Sequence, residues 1–265
     1  MEFGKIAIIG AGNMGGSIAK GLLQSKCISP SSIYVSDPKE KALEQYLQAG
    51  AHTSVFNRES VKPADMVIFA VKPYHIKQVI DDLKPVLSPD QKIASIVAGV
   101  SLTDLEKMTG ENYSLFRVMP NTAIAVRESM TCISSNDKGN KSMDLLKALF
   151  DELGETAIIS EELMPAATVL SSCGTAFALR YVRAAMQGGI EMGFNASMSQ
   201  FITEQTVKGA VQLLLTNNQH PEWELDKVTT PRGITITGIN EMEHKGFSSA
   251  LIQGLIASFN KMGQH

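Results

Sequence analysis

Three glycines, at positions 10, 12 and 15, follow the apolar run Ile6-Ala7-Ile8-Ile9 in the spacing Gly-x-Gly-x-x-Gly, and the chemistry this suggests is the holding of a diphosphate. Gly10 permits a tight turn, Gly12 lets the backbone approach phosphate with no Cβ in the way, and Gly15 lets the next helix pack close to its strand. The phosphate charge would then meet unpaired amides at the helix N-terminus, with Ala11, Asn13 and Met14 completing the cradle. A second strand, Ile33-Tyr34-Val35-Ser36-Asp37, ends in an acid where a ribose-binding carboxylate is expected. Glycine turns alone are common in loops. The order strand, turn, helix, strand, acid is what points to a dinucleotide.

Two further segments have the composition of ligand contacts. In Thr229-Thr230-Pro231-Arg232-Gly233-Ile234-Thr235-Ile236-Thr237-Gly238, hydroxyls, a proline and two glycines interrupt a helical region. Thr230 and Pro231 suit a helix start, Gly233 allows close backbone approach, and free amides there could hold a carboxylate; on these residues alone a plain helix-connecting loop explains the segment equally well. In Ser171-Ser172-Cys173-Gly174-Thr175-Ala176, small residues sit where helix propensity favours larger ones. They read as tight helix packing first and as a ligand contact second.

The elements that must position these residues alternate. After the turn come a helix over Asn13 to Leu23, the strand ending at Asp37, a helix over Glu40 to Leu47, and the apolar run Asp65 to Val71. A helix over Tyr74 to Leu83, a strand over Ile93 to Val97, a short helix over Leu102 to Met108 and a strand over Leu115 to Met119 continue the pattern. This predicts an α/β Rossmann domain with a doubly wound, mostly parallel sheet. Ser129 to Ser134 and Thr156 to Ile159 add edge strands of unreadable order around a helix at Ser142 to Leu153. Ligands of such sheets sit beyond the C-terminal strand ends, so the points after Ile9, Asp37, Val71, Val97 and Met119 should converge. From about Glu162 the β-branched runs stop. Leu163 to Met192 reads as one long helix, followed by helices near Ser197 to Leu215 and Ser248 to Met262, with a break at Asn217 to Pro221. The expected division is a dinucleotide-binding domain over 1–160 and an all-α domain over 161–265. The latter's helices are apolar on more than one face, as a subunit interface would require.

Composition narrows the partners. A net charge of −3 gives no general attraction to nucleic acid or to an anionic membrane, and no apolar stretch reaches the roughly 18 residues that span a bilayer. The chain enters a strand almost at once, without a leader pattern, and its three cysteines, Cys27, Cys132 and Cys173, form no Cys-x-x-Cys pair. The expectation is a cytoplasmic protein acting on a small molecule. His52, His75, His220, His244 and His265 share no ligand spacing with Asp, Glu or Cys, so no metal is implied.

Four motifs together resemble the pyrroline-5-carboxylate reductase family: Gly10-Ala-Gly-Asn-Met-Gly15, Ala70-Val71-Lys72-Pro73, Arg117-Val-Met-Pro-Asn-Thr122 and Val228-Thr-Thr-Pro-Arg-Gly-Ile-Thr235. The resemblance spans nearly the whole chain. It implies a Rossmann domain followed by a helical dimerisation domain, and reduction of the cyclic imine 1-pyrroline-5-carboxylate to L-proline by NADPH or NADH, the last step of proline biosynthesis. It also implies a homodimer or a higher oligomer of dimers. By matching motif, Ala11 to Met14 cover the cofactor phosphates, Ser36 lies near the adenine ribose, and Asn57 with Ala70, Val71, Lys72 and Pro73 lines the groove. Ala98 and Gly99 approach the nicotinamide half. Gly233 and Ile234 offer backbone groups to the substrate carboxylate, Thr235 offers a hydroxyl near the imine nitrogen, and Thr230 is expected with them among the substrate-binding positions. The chain departs from the family pattern at Ser171-Ser-Cys-Gly-Thr-Ala-Phe177, where Ser-Gly-Ser-Gly-Pro-Ala-Tyr is usual, and at Pro231-Arg-Gly-Ile-Thr235, where Pro-Gly-Gly-Thr-Thr is usual.

An imine is electrophilic once protonated, so hydride transfer to it needs alignment and a held carboxylate more than an acid, base or metal cluster. The rival readings are a β-hydroxyacid dehydrogenase and a non-enzymatic dinucleotide-binding regulator. The first carries a lysine early in its long helix, whereas this chain has none between Lys147 and Lys208. Cofactor preference stays open at this level. Asp37 favours the ribose hydroxyls of NADH, while Ser36, Lys39 and Lys41 favour the 2′-phosphate of NADPH.

Overall fold

The computed structural model describes residues 3–262; His265 and the last residues of the expected 161–265 domain lie outside them. Four buried residues, Ile6–Ile9, form β1, and their alternation builds both faces of the sheet. Ile6 and Ile8 pack with Ile18, Leu22, Tyr46 and Phe150 on one side, while Ala7 and Ile9 pack with Ile76, Ile80, Leu83 and Leu105 on the other. Period-two alternation inside a wholly apolar run is what a strand covered by helices on both faces requires.

In chain order the first unit comprises β1, α1 (Asn13–Ser25), β2 (Ile33–Ser36), α2 (Glu40–Gln48), β3 (His52–Ser54), α3 (Asn57–Val61), β4 (Met66–Phe69), α4 (Ile76–Leu83), β5 (Lys92–Ser95), α5 (Leu102–Thr109), β6 (Ser114–Met119), β7 (Ser129–Ser135), α6 (Met143–Asp151) and β8 (Gly154–Ile158). The eight strands run β3-β2-β1-β4-β5-β6-β7-β8. All pairings are parallel except β6 with β7. The strand order reverses between β1 and β4, which is the switch point of a doubly wound sheet. Sequence patterning omits β3 and α3. Each is a single short segment, and β3 is half exposed at the sheet edge, so neither carries a usable periodicity.

Beyond β8 the expected single helix over Leu163 to Met192 is interrupted. α7 (Met164–Ala167) passes into a π-helical turn over Thr168–Cys173 before α8 (Gly174–Glu191) begins. The small residues at 171–176 are therefore where the helix widens. The Ser171 carbonyl accepts the Asn121 amide at 3.2 Å, and the Ser172 hydroxyl donates to the Pro120 carbonyl at 3.3 Å, so two side-chain hydrogen bonds tie the widened turn to the segment after β6.

The described residues divide after Ser172 into two compact units. The second holds α8, α9 (Ala196–Asn217), α10 (Pro221–Lys227), α11 (Ile234–His244) and α12 (Phe247–Met262). Asn218 in the left-handed region ends α9, and His220 with Pro221 starts α10, which accounts for the break read from the sequence. Among the described residues every buried large apolar side chain lies at or before Val169. In the helical unit Leu179, Phe201, Leu215 and Trp223 are between 63% and 72% exposed, so these helices lack a core of their own.

Candidate active site

The carboxyl ends of four neighbouring strands are stitched at one level. Gly10 N–H donates to the Ser36 carbonyl at 2.7 Å, Ala70 N–H to Ile9 at 2.9 Å, and Ile96 N–H to Phe69 at 3.0 Å. This places Gly10, Asp37, Ala70 and Ile96 side by side at the switch point, as the sheet register requires.

Steric demands differ among the three glycines. Gly10 has φ +103° and a Cβ there would stand 2.8 Å from the Ala70 carbonyl oxygen; at Gly15 it would stand 2.0 Å from the Gly10 carbonyl oxygen. At Gly12 it would meet nothing within 4 Å, so that glycine leaves open space where a ligand can lie on the backbone. Gly12 is the N-cap of α1, with no side-chain cap and no acid in the first turn. The first amides of α1 thus keep their affinity for an anion. Met14 is half buried beneath the turn, whereas Gly12 and Asn13 are exposed.

Asp37 closes the far side. Its Oδ2 accepts the Ala11 N–H at 2.9 Å and its Oδ1 accepts the Lys39 N–H at 2.9 Å. Below it burial pushes the Tyr46 phenol up, and the Asp37 carboxylate adds to that shift. Ser36, expected near the ribose, is fully buried and donates to Asn57 Oδ1 at 2.8 Å. Ala70 and Val71 are half buried on the rim, Lys72 and Pro73 are exposed, and Gly99 adopts φ +76° beside an exposed Ala98. The positions expected to bind a cofactor that follow β1, β2, β4 and β5 therefore lie beyond the carboxyl ends of neighbouring strands.

The helical segment starts later than its sequence suggests. Gly233, not Thr230, is the N-cap of α11, and the Gly233 N–H donates back to the Thr230 carbonyl at 2.9 Å. Arg232 turns the chain with φ +63°. A Cβ at Gly233 would stand 2.5 Å from the Thr230 hydroxyl, which is why a glycine suits this turn. With Gly233 engaged, Ile234 and Thr235 supply the first free amides of α11, and Ile234 is 93% exposed. Asn121 lies in the Arg117–Thr122 motif, where the sequence alone assigns it no role; its cue is an Asn placed to cap the short 3-10 turn that follows it.

Among the described residues no cluster of three or more His, Cys, Asp or Glu could hold a metal, and no helix is long and apolar enough to cross a membrane. A hollow of about 490 Å³ in the sheet unit contains none of the glycine-turn residues; Glu106, Glu111, Asp137 and Glu161 make it a poor place for a diphosphate.

The profile of pyrroline-5-carboxylate reductase dimerisation matches residues 161–265, and that of NADP oxidoreductase, coenzyme F420-dependent, matches residues 5–99. Pyrroline-5-carboxylate reductase 2 of Dictyostelium discoideum is 38% identical over 97% of this chain and 91% of its own. The chain belongs to the pyrroline-5-carboxylate reductase family. Reductase 1 of the same organism is 40% identical over 97% of this chain, which spans only 49% of that relative's length. A crystal structure of the Plasmodium falciparum pyrroline carboxylate reductase with NADP bound superposes with a TM-score of 0.87 at 26% identity, covering 99% of this chain and 98% of that one. As a member of this family, the chain pairs a Rossmann unit with helices of the dimerisation type.

Proposed function

We propose that this chain reduces 1-pyrroline-5-carboxylate to L-proline with NADPH or NADH, the last step of proline biosynthesis. The uncapped amide end of α1, held open at Gly12 on the sheet's switch point, carries the reading in a chain of this family. Residues 1–160 then act as the dinucleotide-binding domain and 161–265 as the substrate and dimerisation domain.

The residues present fit the cofactor. α1 amides from Gly12 to Met14 offer donors to a diphosphate, Asp37 offers a carboxylate to a ribose, and Ala70 to Pro73 with Ala98 and Gly99 line the rim. When bound, the cofactor supplies a hydride from its nicotinamide ring. That hydride would add at the carbon of the protonated imine, and the C=N π pair would become the ring nitrogen's lone pair, giving a secondary amine. The chain's own contribution is to hold the planar ring still. The amides of Ile234 and Thr235 at the start of α11 bind the ring carboxylate, and the Thr235 hydroxyl accepts the N–H of the protonated imine, turning to donate to the ring nitrogen only once that atom has gained a lone pair. The absence of lysine from 148–207 works against the hydroxyacid dehydrogenase alternative, whose alcohol oxidation needs a base there.

The exposed apolar surface of α8 to α12 supports a homodimer, in which a second copy supplies the missing core. Three free cysteines suit a reducing compartment such as the cytoplasm.

The test is to add pyrroline-5-carboxylate to purified protein and follow nicotinamide absorbance with each cofactor, alongside a panel of hydroxyacids. Oxidation of NADH or NADPH by the imine alone is expected; activity confined to hydroxyacids would overturn the assignment. Thr235→Ala and Thr235→Val should lower kcat, and unchanged turnover in both would remove the role given to that hydroxyl.

A further inference from the structure

At the carboxyl end of β2 the fold sets a carboxylate, rather than a cation, against the glycine turn. Main-chain donors from two separate segments, Ala11 N–H and Lys39 N–H, each hold one Asp37 oxygen at 2.9 Å. The carboxylate is fixed in one orientation, and each oxygen keeps a lone pair for another donor. A ribose with free 2′- and 3′-hydroxyls provides such donors. A 2′-phosphate provides only further negative charge beside an anion that is already anchored.

Several groups that could offset that phosphate have polar atoms engaged elsewhere. Ser36 is fully buried and its hydroxyl donates to Asn57. The Ser54 hydroxyl donates to the Glu59 carboxylate at 2.5 Å, which sets a second acid next to the end of β3. Arg58 directs its Nε–H to the Asp82 carbonyl at 2.9 Å. Lys39 and Lys41 remain, but both are exposed, where a hydrated ammonium contributes little to holding an anion.

From this arrangement we infer that the ribose subsite is built for a 2′-hydroxyl, so that the enzyme prefers NADH to NADPH, and that Asp37 sets the preference. The inference rests on the proposed reductase reading and goes beyond it by choosing between the cofactors.

The test has a kinetic arm and a binding arm. In the first, kcat/KM for NADH and NADPH is measured with saturating pyrroline-5-carboxylate. In the second, 5′-AMP and adenosine 2′,5′-bisphosphate compete with NADH for the purified dimer, read by nicotinamide fluorescence. The wild-type protein should favour NADH by about tenfold or more, and 5′-AMP over the bisphosphate in the same sense. Asp37→Asn, which keeps an acceptor for Ala11 N–H, and Asp37→Ser should each shrink the ratio by about tenfold, with NADPH gaining as NADH loses. A wild-type preference for NADPH, or ratios unchanged in both folded variants, would overturn the inference; if neither variant folds, the two wild-type arms decide it. Tighter binding of NADH than NADPH without imine reduction would uphold the ribose assignment and sink the proposed reaction. Imine reduction that favours NADPH would do the opposite.

Discussion

Asn121 and Ser171, fifty residues apart in the chain, are joined by a hydrogen bond of 3.2 Å from the Asn121 Nδ2 to the Ser171 carbonyl. The same amide accepts the Ala123 N–H through Oδ1 at 3.0 Å, so its two ends are assigned by different partners. One side chain thereby caps the turn after β6 and serves the widened helix at 168–173.

Asn121→Asp keeps the acceptor for Ala123 and replaces the donor with an anion facing a carbonyl. It should lower stability by about 1–3 kcal/mol, the cost of a buried group left without its partner, read by urea unfolding. Hydrogen exchange should quicken first at 168–173. A variant as stable as wild type, with unaltered exchange there, would show that the latch is idle.

The glycines of the turn should separate by mutation. Gly15→Ala puts a methyl within 2.0 Å of the Gly10 carbonyl, so both stability and cofactor affinity should fall, stability by about 3 kcal/mol or more. Gly12→Ala meets no protein atom within 4 Å, so its Tm should stay near wild type while cofactor Kd rises about tenfold or more. Equal loss of Tm in the two variants would contradict the idea that Gly12 is reserved for a ligand.

One pH effect follows from α5. Ser101 donates to Asp104 through its hydroxyl at 2.6 Å and its amide at 3.2 Å, and these bonds, the hydroxyl first, hold the Asp104 carboxyl below its ordinary range. Because the folded-state value is depressed, the stabilisation is present above the unfolded value of about 3.9 and is lost as pH falls through the folded value. Asp104→Asn should cost about 1 kcal/mol near neutral pH, and its deficit should close on acidification. A deficit independent of pH would locate the effect elsewhere.

Sedimentation should give a mass of at least twice the 28.6 kDa of one chain. Phe201→Glu, which places a charge on a residue 66% exposed in the single chain, should weaken self-association or unfold the helical half. A monomer with cooperatively folded helices would contradict the missing-core argument.

The sequence is legible where one local rule governs a segment. Ile6 to Gly15 shows its strand, turn and helix directly because burial on both faces and the steric needs of Gly10 and Gly15 leave few other residues possible. The antiparallel placing of β7 against β6 was not legible, since Ser129 to Ser135 has the same composition in either direction and only the connection fixes it. The π turn was hidden because Ser171 and Ser172 look like ordinary helix packing until Asn121 and Pro120 are seen beside them. At α11 the sequence marked the right segment but set the helix start at Thr230; the Gly233-to-Thr230 hydrogen bond shifts it to Ile234 and changes which amides are free.

The central claim is direct hydride delivery to a cyclic imine, and isotope transfer tests it most directly. With NADH or NADPH deuterated at the transferred C4 position and unlabelled pyrroline-5-carboxylate, mass spectrometry of the product should find one deuterium in L-proline, on the former imine carbon. Unlabelled proline, or no proline despite a bound cofactor, would contradict the account.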